Sequence, residues 1–176
     1  MADLTKAMLQ VAGFAEESIV DGPGLRFVIF LQGCPIHCPG CQNPQTWDFG
    51  GGTTVSSQDI LDKIRRDPIV HGVTFSGGEP FEQAAALLPL ARELKRLGYH
   101  LMAFSGHTLE KLVARKECLE LLELLDLLVD GPFVEAEKSL ELRFRGSRNQ
   151  RILNIPACRA AGWQPVPDAL QEPPQR

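Results

Sequence analysis

Short runs of β-branched, aromatic and aliphatic residues alternate along this chain with segments whose apolar side chains recur every three or four positions. The clearest run is Phe27-Val28-Ile29-Phe30-Leu31. This apolar run within residues 25–32 predicts a strand covered on both faces. Ser56 and Asp59 have capping-box spacing, so a helix is predicted from there to about residue 66. A second strand spans 72–76 and ends in Gly77-Gly78. Pro80 fits the first turn of the next helix, where its missing N–H costs nothing. Ala84, Leu88, Ala91 and Leu94 make one stripe of that helix, and Gly98 ends it. Residues 99–105 read as a third strand. Thr108 should cap a third helix bearing Leu109, Leu112 and Val113, with Cys118 in the leucine-rich helical stretch beyond. Residues 125–129 make a fourth strand ending at Asp130. Residues 140–144 and 151–155 are weaker strand candidates.

Strand, loop, helix, strand is the signature of a parallel sheet with right-handed crossovers, an α/β fold. At 176 residues the chain is short for an eight-fold barrel. A partial (β/α) barrel of about five or six mostly parallel strands fits the length. One domain over 1–160 is expected. The last dozen residues hold four prolines, so 161–176 are expected to form a loose tail. An open barrel leaves a lateral mouth that can admit a loop of another protein.

Composition narrows the class. Hydrophobic residues make up 44%, ordinary for a soluble protein, and the formal net charge of −4 argues against a general nucleic-acid binder. No run approaches the ~20 apolar residues of a membrane helix, and the N-terminus lacks a signal-peptide pattern. Five cysteines without a secretion signal imply a reducing, cytoplasmic setting.

Three of those cysteines, Cys34, Cys38 and Cys41, have C-x3-C-x2-C spacing in the loop after the first strand. An odd number of thiols in one loop disfavours a disulfide. Structural zinc needs a fourth ligand, and His37 is near. But His37 adjoins Cys38, and neighbouring side chains rarely turn toward one tetrahedral ion. Three thiolates instead suit three irons of a [4Fe–4S] cluster. A closed electron-transfer cluster takes four, so the fourth iron here would be open to a substrate.

Other candidates each carry two readings. Gly77-Gly78-Glu79-Pro80 lets backbone approach a ligand closely, or is an ordinary strand-to-helix turn. Asp130 binds a ligand at a strand end, or anchors the turn as an Asx residue. Arg143, Arg145, Arg148 and Arg151 recognise a partner, or form a solvated basic loop. Cys118 and Cys158 match no ligand spacing, and His71, His100 and His107 stand isolated. No general acid–base pair or nucleophilic triad is evident.

The cysteine loop resembles the cluster loop of the radical S-adenosylmethionine (SAM) enzymes. With Asp21-Gly22-Pro23-Gly24-Leu25-Arg26 before it and Asn43-Pro44-Gln45-Thr46-Trp47 after it, the segment is similar to the entry region of glycyl-radical-enzyme activases. Thr74-Phe75-Ser76-Gly77-Gly78-Glu79-Pro80 resembles the superfamily's SAM-binding turn. Asp130-Gly131-Pro132-Phe133 and the later Arg145-Gly146-Ser147-Arg148-Asn149-Gln150-Arg151 resemble the activating proteins of anaerobic ribonucleotide reductase. The resemblance covers about 14–155.

It implies a radical SAM partial barrel in which Cys34, Cys38 and Cys41 ligate the cluster and SAM chelates the fourth iron. Gly77, Gly78 and Glu79 would receive the SAM ammonium, the Gly40-Cys41-Gln42 backbone would lie against adenine, and Asp130 would contact SAM. The implied partners are a glycyl radical enzyme, foremost anaerobic ribonucleoside-triphosphate reductase, and an electron donor such as a flavodoxin or ferredoxin. A non-catalytic zinc or iron–sulfur module is the rival. Gln42 and His107 stand where the family often has tyrosine.

Overall fold

The computed structural model describes residues 2–171. Among them one sheet of seven strands forms, in the order β3-β1-β2-β4-β5-β6-β7. The strands are β1 (Met8–Ser18), β2 (Arg26–Leu31), β3 (Thr53–Ser56), β4 (Gly72–Gly77), β5 (His100–Phe104), β6 (Leu127–Asp130) and β7 (Arg151–Asn154). The pairs β2–β4, β4–β5 and β5–β6 are parallel. β1, β3 and β7 pair antiparallel at the two sides. The domain is thus mixed α/β with an open sheet, an incomplete β/α barrel. It has more strands than expected, and only four of them run parallel.

Two rows across the parallel quartet show how alternation divides the core. Ile29, Phe75, Ala103 and Leu128 stand opposite one another, and all four are fully buried. They face the helices, in a cluster with Ile60, Ile64, Leu87, Leu94 and Leu121. The next positions, Phe30, Ser76, Phe104 and Val129, turn to the other, concave face. A smaller cluster of Met102, Leu127, Val129 and Ile152 lies there with Phe104, Phe144 and Leu170 against it.

The helices are α1 (Ser57–Arg65), α2 (Ala84–Arg96), α3 (Leu109–Val113), α4 (Lys116–Leu122) and α5 (Ile155–Ala160). Ser56 caps α1 as its spacing predicts: its Oγ accepts from Asp59 N at 3.1 Å. Pro80 opens a single 3-10 turn before α2, and Gly98 follows that helix at φ +90°. Thr108 makes no side-chain cap on α3. Asp130, from the end of β6, accepts from Leu109 N at 2.7 Å instead.

The strand expected at 140–144 does not form. Residues 131–150 make an excursion of turns and bends, closed by an isolated bridge between Lys138 and Ser147. The stretch alternates as a strand would, but no neighbour offers it a ladder. The segment expected as a loose tail is tied along β7 as far as Gln171. Asn154 N donates to Val166 O, Asp168 N to Ile152 O, and Ile152 N to Gln171 Oε1. Edge strand β7 had open backbone groups, and this segment satisfies them. Residues 172–176 lie outside the described residues. No helix among the described residues is long and apolar enough to cross a membrane.

Candidate functional site

The parallel strands deliver their following loops to one end of the sheet, where α/β folds keep their sites. A cavity of about 490 Å³ opens there, on the concave face. Cys34, Cys38 and Cys41 line it from the loop after β2. Gly77, Gly78 and Glu79 line it from the end of β4, and Ser105 and Gly106 from beyond β5. Val20 and Asp21 reach it from the β1–β2 connection; Phe133, Leu142, Phe144 and Arg145 reach it from the 131–150 excursion. Gln42 also lines the cavity.

The cysteine loop is held by its own backbone. Gly33 N donates to Thr46 O at 2.7 Å, Cys34 N to Trp47 O at 3.1 Å, and Cys41 N to Cys38 O at 3.0 Å. His37 sits at φ +52° with its ring stacked on Trp47, centroids 4.4 Å apart at 14°. The three thiols are free and half-buried. Burial pushes the Cys34 thiol up, opposed by backbone N–H groups of Ile36 and His37; the Glu79 and Cys38 charges add to the rise.

The Gly77-Gly78 turn is built against this loop. Gly78 N donates to Leu31 O at 2.8 Å, and Glu79 N to Gly33 O at 2.9 Å. Gly77 is at φ +94°, and a Cβ there would lie 2.5 Å from Leu31 N. A Cβ on Gly78 would collide with Gly33 O. These glycines are therefore required by loop-on-loop packing as well as by their place on the cavity wall.

Glu79 is 1% exposed and, among the described residues, has no cationic side chain in hydrogen-bond contact. Its Oε1 accepts from Ser105 Oγ at 2.9 Å and Phe81 N at 3.2 Å; its Oε2 accepts from Gly106 N at 2.8 Å. Burial raises its pKa above the usual carboxylate range, against the opposing pull of Gly106 N–H and the His107 charge. A desolvated carboxylate on a cavity wall, bound only by neutral donors, suits a cationic ligand group.

Two expected site residues stand elsewhere. Gly40 is not on the cavity wall; its backbone faces the Glu135 side chain. Asp130 is not on the wall either. It is fully buried, and both its oxygens are engaged by Arg151, Nε at 2.9 Å from Oδ1, and by Leu109 N. Its carboxylate bonds Leu109 N and Arg151, both remote in sequence, and not the Gly131-Pro132 turn of the Asx reading; the pair it makes with Arg151 was not foreseen. Arg151 also binds Glu110, whose pKa its hydrogen bonds pull down to about 2. Asp126 is an inter-strand partner, accepting from Leu101 N at 2.8 Å and from Lys95 Nζ at 2.7 Å.

Sequence reading missed Arg26, a charge opening the most apolar run. It is 1% exposed, and its guanidinium donates to Thr74 Oγ1, Pro23 O, Val73 O and His100 O, with His100 Nδ1 at 3.1 Å. Burial lowers its pKa to about 10. Thr74 in turn donates to Asp21 O at 2.8 Å. This network seats the Asp21-Gly22-Pro23-Gly24 segment inside the barrel and brings Asp21 to the cavity. The signal was present: an arginine at the head of a buried strand needs buried acceptors.

No three His, Cys, Asp or Glu side chains among the described residues converge as ligands of one metal ion do. Cluster thiolates bind separate irons and have no need to converge. Three free thiols around a cavity of this size are a donor set that fits an iron–sulfur cluster.

Comparison with known proteins agrees with that donor set. Residues 20–153 match the 4Fe-4S single cluster domain, so the chain belongs to that family and has its capacity for an iron–sulfur cluster. It is related to the activating proteins of glycyl radical enzymes and of anaerobic ribonucleotide reductase, a kinship within the radical SAM superfamily. The anaerobic ribonucleoside-triphosphate reductase-activating protein of Salmonella typhimurium is 34% identical over 146 residues, 78% of this chain and 93% of that one. The pyruvate formate-lyase-activating enzyme of Listeria monocytogenes is 37% identical over 147 residues, 79% of this chain. The chain spans 59% of the length of that relative. Among solved structures, QueE from Escherichia coli has a TM-score of 0.48 at 23% identity, covering 60% of this chain and 55% of that one.

Proposed function

We propose that this protein is a radical SAM activase that generates a glycyl radical on anaerobic ribonucleoside-triphosphate reductase. One observation carries the reading: three thiols from one loop and the Gly77-Gly78-Glu79 turn line a single cavity. Cys34, Cys38 and Cys41 would hold a [4Fe–4S] cluster, which when bound and reduced would supply the electron for reductive cleavage of SAM and so the means of taking a hydrogen atom from a glycine of the partner.

The residues have distinct tasks. Cys34, Cys38 and Cys41 hold the cluster, each on its own iron. Glu79 accepts the SAM ammonium, helped by the backbone at Gly77 and Gly78. The backbone at Cys41 and Gln42 lies along the adenine. Phe30, Phe104, Phe133 and Phe144 keep water from the reacting atoms. The electron comes from a donor such as a flavodoxin or ferredoxin. A cytoplasmic setting follows from the air-sensitive chemistry and free thiols.

The 93% coverage of the reductase-activating relatives favours the reductase as partner. The 37% identity to pyruvate formate-lyase activases supports a second reading, activation of another glycyl radical enzyme. Anaerobically reconstituted protein, SAM, a reductant and the reductase should give a glycyl doublet in electron paramagnetic resonance. A doublet only with a different glycyl radical enzyme selects the second reading. An intact, reducible cluster that never cleaves SAM refutes both.

A further inference from the structure

Trp47 carries a donor that the fold leaves idle. Its indole Nε1 is closed to water and has no hydrogen-bond partner among the described residues. An indole N–H can only donate, and the ring has no other polar atom. A buried donor left unpaired costs about 1–3 kcal/mol, so each one calls for an explanation.

The indole stands against the cysteine loop. Trp47 O accepts from Cys34 N at 3.1 Å, and the residue lines the cavity together with Cys34, Cys38 and Cys41. The His37 ring lies flat on the Trp47 ring, with centroids 4.4 Å apart. His37 adjoins Cys38 in the chain, and its backbone N–H serves the Cys34 sulfur. The indole therefore packs on the stretch of loop between two of the three thiols.

The three sulfurs are unequally served. Cys34 has the backbone N–H groups of Ile36 and His37, and Cys41 Sγ accepts from Asn43 N at 3.4 Å. Cys38 makes no side-chain hydrogen bond among the described residues. A neutral thiol is a weak acceptor, whereas a sulfur carrying negative charge is a strong one. An idle indole N–H beside neutral thiols is thus a donor suited to the same loop once its sulfurs are charged.

We propose that the Trp47 N–H donates to a sulfur of the iron–sulfur cluster, its thiolates included, and raises the cluster's reduction potential. The proposal rests on the cluster reading above and adds to it a residue that holds no iron. One electron from an external donor makes the cluster more negative, while the proton stays on Nε1. A donor to cluster sulfur stabilises the reduced state more than the oxidised one, which raises the potential.

Two variants separate the N–H from the packing of the ring. Trp47→Phe keeps an aromatic face for His37 and removes the donor; His37→Ala removes the stacked ring and keeps the donor. Anaerobically reconstituted protein, without SAM or partner, is titrated with dithionite and mediators, and the reduced cluster is read by electron paramagnetic resonance. Trp47→Phe should shift the one-electron equilibrium toward the oxidised cluster about tenfold, about 59 mV in potential, and His37→Ala by less than about twofold. Electron–nuclear double resonance on the reduced cluster of protein labelled with 15N-indole tryptophan should show a nitrogen coupling that Trp47→Phe lacks. An unshifted potential in loaded Trp47→Phe overturns the proposal, and weaker SAM binding in that variant would then assign the indole to SAM. Equal shifts in both variants trace the effect to packing and overturn it too. Where Trp47→Phe takes up no cluster, the labelled unmodified protein decides, and absence of the nitrogen coupling overturns the proposal. Unmodified protein that takes up no iron and sulfide refutes the cluster reading itself, and the role of Trp47 with it.

Discussion

Removing Arg151 tests whether Asp130 belongs to the fold or to the cofactor. The Asp130 side chain is fully buried, while that of Arg151 is 33% exposed. Arg151→Ala would leave a buried carboxylate with one remaining donor, Leu109 N. Breaking a buried ion pair from one side costs roughly 3–5 kcal/mol, and the water reaching Arg151 places this pair near the lower end, about 3 kcal/mol. Loss of the exposed Glu110 contact adds about 0–1 kcal/mol. Urea unfolding with linear extrapolation measures the total. Asp130→Asn in the Arg151→Ala background removes the stranded charge and should recover part of the loss, giving a coupling of about 2 kcal/mol in the double-mutant cycle. Folded Asp130→Asn, loaded with cluster, should bind SAM as the unmodified protein does. A loss under about 1 kcal/mol in Arg151→Ala, or strict additivity, refutes the buried-pair argument. Tenfold weaker SAM binding in Asp130→Asn would return that carboxylate to the cofactor.

Changing Cys34, Cys38 or Cys41 singly to alanine should abolish full iron and sulfide content after anaerobic reconstitution, whereas Cys118→Ala and Cys158→Ala should keep it; iron analysis decides. Gly78→Ala drives a Cβ into Gly33 O and should cost about 1–3 kcal/mol, read from the urea midpoint; a shift within error would mean the two loops part easily. Burial and the adjacent Arg26 hold the His100 pKa below its ordinary value. The unfolded chain then takes up that proton first, so stability should fall as pH drops from about 6.5 toward the depressed value. His100→Asn, whose carbonyl can still accept from Arg26, should flatten that part of the stability–pH curve; an unchanged slope would assign it to other groups.

The parallel quartet was legible because its strands are continuous apolar runs, and a run buried on both faces announces itself without its neighbours. β1 and β3 were not legible. β1 buries only Leu9, Val11 and Ser18 of its eleven residues, so its pattern carries little apolar signal, and β3 has just four residues. Their strand state comes from pairing, Leu9 opposite Val55 and Phe14 opposite Ile29, a relation between distant segments. The opposite error at residues 140–144 has the same cause, alternation without a partner strand.

The cysteine triplet and the Gly77-Gly78-Glu79 turn were readable because each is local, with its chemistry inside a few consecutive residues. What the tertiary structure alone decided is which long side chains serve each other. Asp130 looked available for a ligand until Arg151 lay across it, and Arg26 was an anomaly in an apolar strand until Thr74 and His100 supplied acceptors. A buried charge is settled by whichever group reaches it first in space, and spacing along the chain does not encode that distance. The sequence by itself thus determined the thiol donor set and the parallel strands β2, β4, β5 and β6 with the helices that link them. Folding decided the edges of the sheet, the burial of Glu79, and which arginines are tied into the fold.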